Sequence, residues 1–432
     1  MRDMKKIFIL ALITIFTYSL SAQTPSPGAA QSEAILVVNG TLHLGTGEVV
    51  ENGAVAFENG TITFVGKSED VEDKSKYKTI DISDQHLYPG FILPGVDLGL
   101  NEIAAVRASQ DKAEVGNLKP HVRSVISYNT DSEIIPTLRF NGILTAQVAP
   151  KGGYISGTSS IMQLDAWNWE DGLIKEDDGI HMTWPAKRIF SGTEKPDQVA
   201  KVKAAYNSAL QSIKDLFDAA KAYSSSTPKS KNLKLEAMKG LFDGSKQLFI
   251  RVNKAKDIIR SVTFAKEYGV KNIVLIDAIE VLLVADFVKE NNIPVILNNV
   301  HSLPYRRGDD VDQMYKLPAQ LEEKGLQYCL GYRGWVMGSR NLPFFAGSAA
   351  AYGLDKEEAL KAITLNTAVI LKIDDKLGSI EVGKDASFFV SEGDALDMRG
   401  NKLTTAYIQG RKVTLEAMQQ RLYQKYKAKY GH

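Results

Sequence analysis

Gln247-Leu-Phe-Ile-Arg-Val252 is followed by a run of helical periodicity, Lys254–Tyr268, and then by Asn272-Ile-Val-Leu-Ile276. The alternation continues through helical Glu280–Asn291, apolar Pro294–Asn298, helical Met314–Gly325 and apolar Gln327–Gly331. Short apolar runs between helical segments mark parallel βαβ units, because strands covered on both faces lose the polar alternation of a half-exposed sheet. Several such units in succession suit either a TIM barrel or a doubly wound sheet. No G-x-G-x-x-G follows a strand, which weakens the dinucleotide-binding form of the second.

Outward from this stretch the pattern changes on both sides. Residues 34–88 are β-rich: Ala34-Ile-Leu-Val-Val-Asn-Gly40, Ala54-Val-Ala-Phe57 and Thr61-Ile-Thr-Phe-Val65 are separated by Asn-Gly turn signals. Residues 377–413 return to β character in Ala386-Ser-Phe-Phe-Val390 and Thr404–Ile408. Lys195–Gly240 is a Lys- and Ala-rich helical stretch broken at Ser224–Pro228, read as an enlarged barrel helix. Asp355 is placed to cap a helix over Lys356–Leu371, with Glu358 in the capping-box position. Leu415–Lys429 is expected to be an amphipathic helix on the surface or against a partner. Gly152-Gly153 and Ile155-Ser-Gly-Thr-Ser-Ser160 read as a Gly/Ser-rich loop, either a tight connector or a loop whose amides can bind an anion.

Composition narrows the chemistry. Of 432 residues, 52 are Lys or Arg and 51 Asp or Glu, a balance that argues against a strongly basic nucleic-acid binder or an acidic disordered tail. The single cysteine, Cys329, excludes a disulfide framework and a cysteine-based metal site, so any metal must draw on Asp, Glu and six histidines. These are His43, His86, His121, His181, His301 and His432, and none has a histidine partner at i+2 or i+4. Residues 1–22, with Arg2, Lys5 and Lys6 before the apolar run Ile7–Leu20, read as a secretory signal peptide. Export to the periplasm or beyond is therefore expected. Loss of the segment takes the formal net charge from +1 to −1, so neither nucleic acid nor membrane is an expected partner. No nucleophile elbow, P-loop or EF-hand pattern is present.

Several motifs together resemble one family. They are Val38-Asn-Gly-Thr-Leu-His-Leu-Gly-Thr-Gly47, Leu87-Tyr-Pro-Gly-Phe-Ile92, Ala362-Ile-Thr-Leu-Asn-Thr-Ala368 and Leu377-Gly-Ser-Ile-Glu-Val-Gly-Lys-Asp-Ala386. The chain resembles the amidohydrolase superfamily in its imidazolonepropionase-like branch. The resemblance implies a (β/α)8 TIM barrel with a small β-sandwich built from both chain ends. The expected organisation is a signal peptide over 1–22, a lead-in over 23–33, and sandwich over 34–89 and 374–413. The barrel takes 90–373 and a C-terminal helix 414–432. The implied activity is hydrolysis of C–N bonds in non-peptide or cyclic amides by a divalent metal held at strand ends.

At those positions this chain departs from the pattern. The resemblance puts metal ligands at Gly95 and Asp97 after strand 1 and at Arg251 after strand 5. It puts others at Ala278 or Ile279 after strand 6, and at Tyr332 or Arg333 after strand 8. Glycine has no donor side chain and Arg251 is a fixed cation, so the residues speak against a resident metal. Arg251, with Arg333 if it points inward, can hold a carboxylate or phosphate; alternatively Arg251 makes a structural salt bridge with a strand-end acid such as Asp277. His301 reads as a mouth residue or as a hydrogen-bonding loop histidine. His121, in a loop or at a helix start, is expected to face solvent, and His181 is assigned to a loop. Asp97, Glu102, Asp277 and His301 are the candidates for a rebuilt site taking Zn²⁺, Mn²⁺ or Mg²⁺. Asp111 and Glu114 are expected to face solvent. Three functions stay open: a C–N hydrolase, an inactive barrel that binds a small molecule or partners a homologous amidohydrolase (as homo- or hetero-oligomer), and a metal-independent enzyme using Arg and carboxylates.

Overall fold

The structure is a computed structural model and describes residues 26–187, 195–227, 230–298, 300–304 and 308–431. The expected signal segment and His432 lie outside the described residues. Strands β1 (Ile35–His43), β2 (Val49–Glu58), β3 (Thr61–Lys67), β4 (Lys78–Asp81) and β5 (His86–Pro89) come first. A second set follows: β6 (Phe91–Val96), β7 (Ile143–Val148), β8 (Ile155–Gln163), β9 (Leu173–Thr183), β10 (Gln247–Val252), β11 (Ile273–Asp277), β12 (Val295–Leu297) and β13 (Tyr328–Leu330). Strands β14 (Phe388–Ser391), β15 (Leu403–Ile408) and β16 (Arg411–Lys412) return to the first set, in the order β16-β15-β14-β5-β1-β2-β3 with β4 beside β1.

Both chain ends thus build one sheet. It folds over on itself, since Phe57 of β2 packs edge-on against Phe388 of β14 and Tyr407 of β15, with centroids 5.3 and 5.0 Å away. The apolar faces of β1, β2, β5 and β14 meet in this core, which is why the alternating residues Ile35, Val37, Val55, Phe57, Phe388 and Val390 share it.

The eight strands β6 to β13 are hydrogen-bonded in chain order as a nearly closed barrel. Strand β10 shows how the sequence divides inside from outside. Phe249 belongs to the barrel interior with Ile92, Ile161, Val274, Ile276, Ile296 and Cys329. Leu248, Ile250 and Val252 point the other way, into the larger core that includes helix Ala255–Glu267. The floor is closed by helix Leu365–Leu371, whose Ala368, Ile370 and Leu371 complete the interior cluster, and Gln247 Nε2 donates to Ile370 O at 2.9 Å.

Two features depart from strict (β/α)8 alternation. Ile155–Ser160 is not a connecting loop but the first part of β8, which runs antiparallel to both β7 and β9. Its nine residues are all buried, and the Gly152-Gly153 turn lets the chain reverse directly from β7. The helix expected over Lys356–Leu371 is two helices, Lys356–Lys361 and Leu365–Leu371. Asp355 does cap the first, accepting from the N–H groups of Glu357 and Glu358. The break serves the barrel seam: Leu330 N–H of β13 donates to Ala362 O and Ile92 N–H of β6 to Ile363 O, each at 2.9 Å. Those carbonyls satisfy edge N–H groups that β6 and β13 do not offer one another.

The Lys-rich stretch forms helices Pro196–Ser224 and Leu233–Asp243, capped by Asn232, and the last helix is Met418–Tyr430. Among the described residues no helix is long and apolar enough to cross a membrane.

Candidate functional site at the barrel mouth

The C-terminal ends of the parallel strands face one way, and there the inward alternation of β10 delivers Arg251 beyond Phe249. The neighbouring strand β11 ends in Asp277, followed by Ala278, and both adopt left-handed backbone conformations (φ 70° and 42°). Such conformations are costly for residues with a Cβ and persist only when the surroundings enforce them. Here Ala278 N–H donates to Val252 O at 2.8 Å, and the turn sets the Asp277 carboxylate, fully buried, beneath the strand ends. Arg251 Nη1 donates to Asp277 Oδ2 at 2.8 Å, Asn298 Nδ2 donates to Oδ1 at 3.1 Å, and Arg333 Nη1 lies 3.6 Å from Oδ2.

A second ion pair stands across the mouth. Lys151, on the turn after β7, donates to Asp97 Oδ1 at 2.6 Å. Between the two pairs lies a cavity of about 330 Å³ lined by Gly95, Lys151, His181, Arg251, Tyr332 and Arg333 among others. Gly95 sits at φ 65°, and a Cβ built there has nothing closer than Gln147 Oε1 at 4.0 Å. The imidazole of His181 stacks on Phe249 at 4.7 Å. Among the described residues its buried Nε2 has no hydrogen-bond partner. Burial first, then the nearby Arg251 charge, pull its pKa down to about 3, so the ring is neutral at physiological pH.

Within the barrel is a third acid that sequence reasoning missed. Asp178 is fully buried, and Ser159 Oγ (2.7 Å) and Gln147 Nε2 (2.6 Å) donate to its two oxygens. Burial raises its pKa to about 6, against the opposing effect of these donors. A register shift between β8 and β9, with Asp177 at φ 50°, disrupts the two-residue alternation of β9 near this acid. No reading of β9 by period would have placed it.

The sequence candidates therefore separate. Arg251, Asp277 and Arg333 are together, and Asp97 is beside the mouth but engaged by Lys151. Glu102 is elsewhere: Ser132 Oγ donates to it at 2.9 Å, and burial raises its pKa. His301 does not line the mouth cavity. It bonds Ser348 Oγ through Nε2 at 2.6 Å and packs on Phe345, lining a larger open cavity of about 590 Å³ beside Asp394–Met398. The histidine at the mouth is His181, which belongs to strand β9 rather than to a loop. Its signal in the sequence was the run Gly179-Ile-His-Met182, a β-prone segment that strand assignment would have caught. Ala278 and Ile279 are apolar and turned into packing. His121 is partly buried, with an unpartnered Nδ1, rather than free in solvent. Asp111 and Glu114 are exposed as expected. His43 bridges sandwich and barrel, with Nδ1 2.7 Å from Glu357 Oε1 and Nε2 3.1 Å from His86 Nδ1. Among the described residues no group of three or more His, Cys, Asp or Glu side chains converges as a metal site.

The fold is thus a barrel whose mouth is built from strand ends, beside a sheet made from both ends of the chain. Residues 211–415 match the family model described as "Amidohydrolase family". The match covers just under half of the chain and, with the fold, supports amidohydrolase-superfamily membership. Among solved structures it is similar to an amidohydrolase from Thermotoga maritima MSB8, with TM-score 0.77 and 24% identity over 88% of this chain and 99% of that one. It is also similar to a prolidase complexed with N-methylphosphonate-L-proline, with TM-score 0.56 and 14% identity over 88% and 99%. A molinate hydrolase aligns with TM-score 0.52 and 14% identity over 90% and 95%. At these identities the likeness is one of fold. No curated protein matches the sequence.

Proposed function

We propose that this chain is an exported amidohydrolase-superfamily barrel, of the imidazolonepropionase-like branch, that binds a small molecule at its mouth without metal-dependent hydrolysis. The observation that carries the reading is the state of Arg251. A guanidinium stands where the resemblance requires a metal-ligating histidine, and it is hydrogen-bonded to the buried carboxylate of Asp277. A fixed cation repels a divalent metal within a few ångströms, and the effect grows where water is excluded.

The remaining donors do not fit a hydrolytic metal either. Gly95 offers no side chain, Ala278 and Ile279 are apolar, and Asp97 is neutralised by Lys151. Reactive metal sites of this kind need imidazoles and carboxylates with an open position. Placing a histidine at Gly95 would meet space but also a left-handed backbone, which a Cβ disfavours. The rebuilt-site alternative asks Asp97, Glu102, Asp277 and His301 to converge, and each is engaged by a different neighbour: Lys151, Ser132, Arg251 and Ser348. The exported location rests on residues 1–22 and is checked by N-terminal sequencing of the mature protein, expected to start at Gln23.

Elemental analysis of protein made in Zn- and Mn-containing medium tests the main claim. The expected content is below about a tenth of an equivalent, since resident metal sites survive purification at near-stoichiometric occupancy. Protein that carries one metal per chain and hydrolyses dipeptides or cyclic amides ends this reading.

A further inference from the structure

We infer that the mouth cavity is a binding site for a small monocarboxylate, held by Arg251, Arg333 and Lys151, with His181 offering a hydrogen bond to the ligand's other end. This rests on the reading that no metal occupies the mouth. It goes further in naming the ligand's charge and the groups that recognise it.

The charge count comes first. Three cations, Lys151, Arg251 and Arg333, line the cavity, and two carboxylates, Asp97 and Asp277, are paired with them. Among the lining groups and their direct ion-pair partners the surplus is one positive charge, because Asp277 serves two guanidiniums and His181 carries none. A monoanion completes the balance and a dianion overshoots it.

Donor capacity comes next. A guanidinium has five N–H donors in a planar fork suited to carboxylate. Arg251 spends one of them on Asp277, and Arg333 approaches that carboxylate only at 3.6 Å, beyond a hydrogen bond. Both side chains are partly exposed and line the cavity, which leaves donors available to a ligand there. Asp277 thus acts as the positioning residue. Held in its left-handed turn with Ala278 and fully buried, it anchors the guanidiniums from below.

The third observation concerns His181, a residue of the cavity wall. His181 is about nine-tenths buried, yet among the described residues its Nε2 has no partner. A buried ring nitrogen without a hydrogen bond is costly, and polar groups of this kind are ordinarily satisfied by protein, water or ligand. Gly95, Gly152 and Gly334 leave the walls without side chains, and about 330 Å³ is at the small end of ligand pockets. The fitting class is a carboxylic acid of amino-acid size carrying an amide or hydroxyl.

The test is calorimetric titration of the purified chain with N-acetylglycine, its uncharged amide N-acetylglycinamide, and inorganic phosphate, with metal content measured on the same sample. The expected result is one saturable site for N-acetylglycine, with the amide and phosphate each weaker by at least about tenfold. Arg333→Gln, which removes a partly exposed side chain, is expected to weaken binding about tenfold, as is Arg251→Gln, with Arg251→Lys recovering part of the loss. His181→Phe should weaken N-acetylglycine more than acetate, which has no second polar group. Arg399→Gln, on the exposed surface, should change nothing. Metal-free protein that shows no saturable N-acetylglycine binding, or binds acid and amide alike, or prefers phosphate, overturns the inference and leaves the metal-free reading standing. Stoichiometric metal in the sample overturns that reading itself.

Discussion

Two buried ionisable residues inside this barrel shift stability in opposite senses with pH. Asp178 has a folded pKa of about 6 against 3.8 when unfolded. Its contribution is fully present below pH 3.8 and is lost as pH rises through 6, because the buried site resists the charge. The loss amounts to about 3 kcal/mol for two pKa units. Asp178→Asn is therefore expected to be more stable than the wild type at pH 8 by an amount of that order, and no more stable at pH 4. Gln147 can turn its amide to accommodate the new NH₂, since its Oε1 has no partner. Urea unfolding at the two pH values checks this, and a variant weaker at pH 8 contradicts it. His181 runs the other way. Its folded pKa of about 3 lies below the unfolded 6.5, so its contribution is present above pH 6.5 and is lost as pH falls toward 3. His181→Phe should move the acid-unfolding midpoint to lower pH, and an unchanged midpoint in an acid titration followed by circular dichroism rejects the assignment. Legibility at this scale was uneven. Arg251 with Asp277 was readable, because adjacent parallel strands of similar apolar length bring their last residues together. His301 was not, because a loop residue's direction is set by what packs on it, here Phe345 and Ser348.

Among the elements, β9 is tightly constrained by its neighbour β10. Gly179 lies where a Cβ would meet the Phe249 ring at 2.4 Å and Gln247 O at 2.7 Å. Neither a packed ring nor a strand carbonyl can retreat cheaply. Gly179→Ala should cost about 2–3 kcal/mol through overpacking, read as a lower urea midpoint with an unchanged slope. Phe249→Leu in that background should recover part of the loss, and its failure to do so would place the strain elsewhere. The parallel units β10 to β13 were visible as apolar runs spaced by helices. The reversal of β8 was hidden because its Ser/Gly-rich sequence carries the composition of a loop; burial on all sides, not side-chain character, makes it a strand. The break at Ala362–Thr364 was equally silent. Its local propensity is helical, and only the unpartnered edges of β6 and β13 draw its carbonyls away.

The whole molecule is fastened where its two sheets and both chain ends meet. Asp165, with a fully buried side chain, accepts from the buried Arg139, from Gly28 N–H at 2.8 Å, and pairs with Arg411 at 3.5 Å. Its main-chain oxygen also accepts from Arg411 Nη2 at 2.8 Å. The residues come from the N-terminal approach, the barrel and the C-terminal strand β16. Asp165→Ala leaves Arg139 buried and uncompensated, which costs about 3–5 kcal/mol. Because the site joins barrel and sheet, near- and far-ultraviolet dichroism are expected to report one shifted transition. Two resolved transitions would mean that the parts unfold separately. The sequence by itself determined the parallel βαβ units and the β character of both ends, since these follow from periodicity and residue type, while the barrel, the joining of the ends and the expected ligand positions came from the family resemblance. Tertiary structure alone decided which polar groups share the mouth. Asp277 meets two arginines, His181 replaces His301, and Lys151 claims Asp97, because those contacts join residues up to 56 positions apart. Their geometry depends on left-handed turns, a bulge and a reversed strand that no local pattern encodes.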